Sequence, residues 1–332
     1  MLAAAEQAWP PFVLVAGLLL IGAIAAADGL FEATGAWLTR APLSARGLLV
    51  ALLGLVAVVT AVLNLDTSVV FLTPVLVHAA RRRGLDERPF LYGSVFMANA
   101  GSLLLPGSNL TNLLVLRTDP TSGAGFAEAM LPAWLVASGW TVAFLVRAFP
   151  LADGHREPRI APALRVGIGA AAAFAAAVLV LALRNPAVPV LVVGLLASAL
   201  RRARPRIDVR ALAPLFALTV GLGTVARGWS GPAHVLHSSG PWATGAIAAL
   251  GSLIVNNLPA AVLFSAHSPP HAHALLVGLD VGPNLAVTGS LSALLWLQAA
   301  RAVEADVSIA TYSRLGIVLV PLTLAGALAA LR

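Results

Sequence analysis

Residues 47–80 read GLLVALLGLVAVVTAVLNLDTSVVFLTPVLVHAA, with Asp66 as the single formal charge in the run. Arg40 and Arg46 precede this stretch, and Arg81, Arg82, Arg83 and Arg88 follow it. A membrane crossing takes about 20 apolar residues, and arginine-rich loops stay on the cytoplasmic side. A single crossing would strand one arginine cluster outside. Two half-helices that enter and return, with their tip at Asn64-Leu65-Asp66, keep all six arginines together. The stretch therefore reads as a re-entrant hairpin. A second run, residues 228–279, has no formal charge at all but is interrupted by Asn256-Asn257-Leu258-Pro259.

The surroundings fit a polytopic membrane protein. Of 332 residues, 59% are hydrophobic and 11% are charged, against roughly 25% charged in soluble domains. Such a chain lacks the polar side chains to cover a water-facing surface, and it is too apolar for intrinsic disorder. Cysteine is absent and every basic residue is arginine. Disulfides, thiolate chemistry, Cys-ligated zinc and lysine Schiff bases are excluded. The net charge of +7 does not point to nucleic acid, because the arginines sit between long apolar runs and not on one basic face.

Arginine placement sets the topology. Arg147, Arg156, Arg159 and Arg165 form one cluster, and Arg201, Arg202, Arg204, Arg206 and Arg210 the next, separated by two crossings. Both clusters are cytoplasmic on this reading. The second interrupted pair, 242–256 and 258–267, is then a hairpin entered from outside. Only Arg117, Arg184, Arg227 and Arg332 remain external. The N-terminal run lacks a charged leader, so residues 12–30 read as a first membrane helix and not a signal peptide.

The expected fold is all-α, with inverted-topology repeats that each hold a re-entrant hairpin and an unwound transport helix. The first repeat, residues 1–150, has a scaffold helix at 12–30, a hairpin at 47–80, a broken helix at 89–117 and a helix at 131–149. The second, residues 151–332, has scaffold helices at 161–183, 186–200 and 211–226, a hairpin at 242–267, a broken helix at 273–300 and a helix at 308–331. Asn64-Leu65-Asp66-Thr67 aligns with Asn257-Leu258-Pro259-Ala260, and Leu105-Pro106-Gly107-Ser108-Asn109 with Val287-Thr288-Gly289-Ser290-Leu291. Repeats of opposite orientation with interrupted segments mark alternating-access carriers.

The interruptions carry the expected chemistry. A hairpin tip leaves unpaired carbonyls on one side and unpaired amides on the other. Asn64, Asn256 and Asn257 can satisfy these and still offer an amide to a solute, with Thr67 beside them. Gly107 and Gly289 permit unwinding and close approach; an alternative is that they are close-packing positions. Ser108, Asn109 and Ser290 stand where N-caps belong. Half-helix N-termini suit an anion or an oxygen-rich solute. A carboxylate at membrane depth marks function, so Asp66 is assigned to coupling. Asp280 is second in line, because it reads as nearer the outer mouth. His267, His271 and His273 are read as a loop, not a metal site. No catalytic set, cofactor or resident metal is expected.

The residues resemble the arsenite-efflux permeases of the ion transporter superfamily. The resemblance is carried by Asn256 to Ala260, Gly278-Leu279-Asp280-Val281-Gly282-Pro283-Asn284 and Thr288 to Leu297. In the first half it is carried by Asn64 to Thr67, Leu72-Thr73-Pro74 and Pro106 to Asn112. It covers roughly residues 47–117 and 250–325. It implies the inverted-repeat fold, movement of the hairpin domain, and a homodimer formed through the scaffold. The sequence departs by placing one helix before the first hairpin and three before the second, so two N-terminal scaffold helices are missing by comparison, which puts that dimer contact in doubt.

The resemblance implies a multi-pass permease of the inner (plasma) membrane that exports arsenite or antimonite against protons. Without cysteine, trivalent arsenic would be held as its hydroxide by Asn, Ser, Thr and backbone amides. The alternatives are a sodium-coupled dicarboxylate or inorganic-anion transporter and a sodium/proton antiporter. Dicarboxylate sites use Ser-Asn-Thr tips, where this chain has Asn-Leu-Asp-Thr and Asn-Asn-Leu-Pro. A remote alternative is an intramembrane enzyme, for which the sequence has no His-Glu-x-x-His, Gly-x-Ser-x-Gly or Cys.

Overall fold

A computed structural model of the chain describes residues 2–116, 122–152, 167–202 and 209–331. Arg117, Arg156, Arg159, Arg165, Arg204, Arg206 and Arg332, and the part of the expected helix at 161–166, lie outside these. Among the described residues all regular structure is helical. Helices α1 (Leu2–Ala27), α2 (Leu30–Arg40), α3 (Ala45–Val62), α4 (Leu65–Arg82), α5 (Arg88–Gly101), α6 (Leu110–Val115) and α7 (Gly123–Ala148) form the first half. Helices α8 (Ile168–Ala182), α9 (Ala187–Leu200), α10 (Val209–Arg227), α11 (Gly231–His237), α12 (Pro241–Val255), α13 (Asn257–Phe264), α14 (Ala272–Val281), α15 (Leu291–Ala302) and α16 (Ile309–Ala330) form the second.

Among the described residues four helices, at Ala8–Ala27, Ala45–Val62, Gly123–Ala148 and Ile309–Ala330, are long and apolar enough to span a membrane. Side chains such as Phe174 (73% exposed) and Ile254 (78% exposed) project from apolar helices, as a lipid-facing surface requires. The fold is the inverted-repeat arrangement. Each half has a helical hairpin (α3–α4, α12–α13), then a helix broken by 3-10 turns (α5–α6, α14–α15), then a long helix (α7, α16). The two long helices pack on each other.

Several expected boundaries are corrected. The helix expected at 12–30 ends at Ala27, and α2 follows as a separate helix. Gly29 takes the left-handed conformation (φ 74°) that separates them. Asp28 is used elsewhere: its carboxylate accepts from Gly169 N (2.8 Å) and from Arg201 Nε (2.6 Å). That ties the end of α1 to the start of α8 and the end of α9. The helix expected from 131 starts at Gly123, where the Ser122 hydroxyl caps Gly125 N (3.1 Å). Helix α11 was not expected; it falls inside the uncharged 228–279 run.

Helix α1 packs against α8 and α9 through small residues. A Cβ on Gly169 would lie 2.4 Å from Ala25 Cα, and one on Gly17 would lie 2.8 Å from Leu191 Cα. Helices in lipid gain little from hydrophobicity against one another, so close backbone approach supplies the attraction. A fully buried cluster of Tyr92, Phe96, Trp296 and Tyr312 joins α5, α15 and α16. Its polar tips are all occupied. Trp296 Nε1 donates to Leu91 O (2.9 Å), Ser308 N donates to Tyr92 Oη (2.9 Å), and Tyr312 Oη donates to Pro283 O (3.0 Å).

The two arms of the first hairpin pack together, and Arg46 and Arg82 are exposed at their open ends. Single cysteines at these positions, in a background without cysteine, should be labelled by an impermeant thiol reagent from the same side of oriented vesicles. Labelling from opposite sides would make 47–80 a crossing and end the hairpin assignment.

Candidate solute-binding site

The first hairpin turns at Leu63 and Asn64. Asn64 is extended and 2% exposed, and its Oδ1 accepts from Thr67 N at 2.6 Å, which caps α4. Its Nδ2 has no partner, and neither has Thr67 Oγ1 or Thr60 Oγ1, both buried. Buried polar groups are nearly always satisfied, so three orphans at one tip mark a place built for something else. The close approach of α1 seals this tip: a Cβ on Gly22 would lie 2.4 Å from Thr67 Cγ2.

The second hairpin turns at Asn256, which holds φ 77° and ψ 151°. A side-chain-bearing residue rarely adopts this geometry, and such residues cluster at functional sites. Asn256 Oδ1 accepts from Leu258 N (3.2 Å), capping α13, while Nδ2 donates to Thr288 O (3.0 Å) in the broken helix. Asn257 is buried in the first turn of α13.

The two breaks share one geometry. Leu105 and Ala286 are extended, each followed by a three-residue 3-10 turn (Pro106–Ser108, Val287–Gly289) and then an extended cap, Asn109 or Ser290. Asn109 Oδ1 accepts from Thr111 N (3.2 Å) and Ser290 Oγ from Ala293 N (3.1 Å). This corrects the sequence register by one residue. Asn109, not Ser108, corresponds to Ser290, and Asn256, not Asn257, corresponds to Asn64. Cap geometry fixes the pairing where the Gly-Ser and Asn-Leu matches had fixed it by letter. Ser108 is no cap; its hydroxyl donates to the carbonyls of Ser102 and Leu105. Gly107 and Gly289 make room for neighbours. A Cβ on Gly107 would lie 3.2 Å from Leu18, and one on Gly289 would lie 2.8 Å from Pro283 Cα.

Half-helix N-termini meet crosswise between the halves. Ser292, in the first turn of α15, donates to Asp66 Oδ1 in the first turn of α4 at 2.5 Å. Leu258 and Val262 of α13 pack with Leu110 and Leu114 of α6. Each hairpin tip thus abuts the broken helix of the other half. A cavity of about 800 Å³ reaches Pro106 from the α1 side, with Glu6 and Arg184 among its lining residues.

Asp280 lies deep inside, not near an outer mouth. It is 0% exposed, and its carboxylate contacts Asn109 Nδ2 (2.9 Å), Thr111 Oγ1 (3.0 Å) and Ser102 Oγ (3.1 Å). All three are neutral and belong to the first half. In the corrected register the counterpart of Asp280 is Asn99, which also reaches across the halves, donating from Nδ2 to Asn284 Oδ1 at 2.6 Å. Ser102, Thr111, Asn99, Asn284 and Ser292 were not singled out in the sequence. In the sequence register Asp280 falls opposite Ala98, so the pairing with Asn99 needs the cap geometry as well as the spacing.

The citrate transporter family matches residues 1–288, and the chain belongs to that family. It is 28% identical over 137 residues to the silicon efflux transporter LSI3 of Oryza sativa subsp. japonica, covering 41% of this chain and 28% of that protein. It is 26% identical over 129 residues to the uncharacterized transporter Rv2685 of Mycobacterium tuberculosis strain H37Rv, covering 39% of this chain and 30% of the relative. The matches thus span under a third of the length of these relatives. In fold the chain is similar to the YdaH transporter of Alcanivorax borkumensis, described as having an unusual topology, at a TM-score of 0.62 and 15% identity, over 99% of this chain and 86% of that one. The family and these relatives are transporters, not enzymes.

Proposed function

We propose that the protein is a secondary active transporter of the inner membrane that exports a small, uncharged inorganic hydroxide, arsenite or antimonite, in exchange for protons. One observation carries the solute class. The groups gathered at the tips and breaks (Asn64, Thr67, Ser108, Asn109, Asn256, Asn257, Ser290 and the backbone at Gly107 and Gly289) are neutral amides and hydroxyls, and none is cationic. A neutral hydroxide such as As(OH)3 offers oxygens and hydrogens to groups that both donate and accept. The relative named for silicon efflux supports the same class, because silicon in neutral water is the uncharged Si(OH)4. The two carboxylates, Asp66 and Asp280, supply coupling. Transport proceeds by movement of the hairpin-bearing elements against α1, α8, α9 and α10.

A second reading has its own support. Four helix N-termini, those of α4, α6, α13 and α15, start at the tips and breaks, and N-termini favour anions. Together with the family's description, they fit a di- or tricarboxylate carried with sodium. Everted vesicles separate the two. Arsenite should accumulate when the lumen is acidified, and neither citrate nor sodium should alter its rate. Sodium-dependent citrate uptake with no arsenite accumulation would transfer the assignment to the second reading.

A further inference from the structure

We infer that Asp280 is a proton-binding site, a neutral carboxylic acid whose proton lies between its Oδ2 and Ser102 Oγ, and that this is the proton the carrier exchanges. The inference rests on the functional reading above only for its second half.

Hydrogen counting carries it. The Ser102 hydroxyl has one hydrogen and lies 2.8 Å from Asn99 O and 3.1 Å from Asp280 Oδ2. At the end of α5, Leu103 N bonds to Ala100 O, so Asn99 O depends on the Ser102 hydroxyl. Given to Asn99, that hydrogen leaves two oxygens, Ser102 Oγ and Asp280 Oδ2, facing each other in a fully buried place. A proton on Oδ2, donated to Ser102 Oγ, leaves Asn99 O, Ser102 Oγ and Asp280 Oδ2 each with a partner. The other oxygen, Oδ1, already has two donors, Asn109 Nδ2 and Thr111 Oγ1.

Asn112 adds a fourth neutral donor beside the carboxylate, and no arginine of the packed helices is paired with it. Helix α14 packs against α5, α6, α12, α13, α16 and the 3-10 turn Gly282–Leu285. Their titratable side chains are Arg88 and Tyr92 on α5, and Tyr312 and Arg314 on α16. Arg88 bonds to Asp86, Tyr92 to Ser308 and Tyr312 to Pro283, while Arg314 is exposed. His273, on α14 itself, makes a ring contact with Phe126. Isolated buried carboxylates are costly when charged. Release of the proton to water leaves the carboxylate with one negative charge. The Ser102 hydrogen then turns from Asn99 O to Oδ2, and the carbonyl at the end of α5 loses its donor. Deprotonation is thereby felt at the first break, which is the link a coupled carrier needs.

Infrared difference spectroscopy of the purified protein across a pH change tests this directly. A protonated-acid C=O stretch should be present in the wild type, lost in Asp280→Asn and kept in Asp66→Asn. The asparagine can keep the packing, with Oδ1 accepting and Nδ2 donating to Ser102. Ser102→Ala should move the band to the frequency of an acid without a hydrogen-bond acceptor. In vesicles, Asp280→Asn should abolish solute accumulation driven by a pH gradient. A band that survives Asp280→Asn, or that vanishes in Asp66→Asn, overturns the site. Retained gradient-driven accumulation in Asp280→Asn overturns its coupling role. If the band maps to Asp280 while the wild type moves no arsenite, the functional reading fails and the proton site stands.

Discussion

Gly316→Ala should cost about 100-fold or more in transport rate, the scale on which a displacement of about 1 Å acts on a positioned site. A Cβ at Gly316 would lie 1.8 Å from Asn284 O, an overlap with backbone that no side-chain rotation relieves. Either α16 or the 3-10 turn Gly282–Leu285 must shift. That turn is fixed at two consecutive residues. Pro283 O accepts from Tyr312 Oη at 3.0 Å and backs Gly289, while Asn284 reaches across to Asn99 at 2.6 Å. Tyr312 and Gly316 lie one turn apart on α16, so the same helix face holds both residues. Moving the turn moves the second break and the contact between the halves together. Overpacking of this kind costs about 1–3 kcal/mol, so the melting temperature should fall as well. Gly54→Ala is the control. Nothing lies within 4 Å of its added Cβ, and a helix interior gains up to about 1 kcal/mol from the exchange. Initial arsenite uptake rates and thermal melts of the two variants check the prediction; equal rates would show that the turn does not position the site.

How the fold was legible follows from which signals are one-dimensional. Charge is one of them. The arginines around 47–80 and the uncharged run around Asn256 mark the interrupted segments, and the structure breaks its helices at Asn64, Asn256 and the 3-10 turns Pro106–Ser108, Gly282–Leu285 and Val287–Gly289. Breaks are visible because Asn, Gly and Pro inside an apolar run conflict with a continuous helix. Register was not legible to one residue. Ser108 and Ser290 match by letter, but a cap is defined by an extended backbone and a hydrogen bond to the following turn, and those select Asn109 and Ser290. Partners across the halves were not legible at all. Ser292 is 226 residues from Asp66, and Ser102 is 178 from Asp280. Nothing local distinguishes these serines from those that bond their own helix, such as Ser198 to Gly194 O. The depth of Asp280 was misread for the same reason. The sequence reads it as nearer the outer mouth, whereas the close packing of Gly278 and Gly282 against α12 draws that end of α14 into the interior.

Asn64 offers the sharpest separation of a structural role from a binding role. Its Oδ1 is engaged as the cap of α4, and its Nδ2 is buried without a partner. These are different atoms, so two substitutions can take them apart. Asn64→Ser keeps a capping oxygen and removes the amide hydrogens. Asn64→Ala removes both, and loss of a cap costs about 1 kcal/mol. If Nδ2 donates to the solute, each variant loses that hydrogen bond, about 0.5–1.5 kcal/mol. The Thr60 and Thr67 hydroxyls, also without partners, cease to be bridged by the same ligand. Together the loss should reach tenfold or more in apparent affinity, since about 1.4 kcal/mol is a factor of ten. The serine variant should therefore melt with the wild type yet bind arsenite as poorly as the alanine variant. Melting curves in detergent and concentration dependence of uptake in everted vesicles provide the two readings. A serine variant with wild-type affinity, beside an alanine variant impaired only through its stability, would make Asn64 a cap and nothing more. The solute would then have to be held by the second tip and the two breaks, with Asn256 and Ser290 as the next groups to substitute.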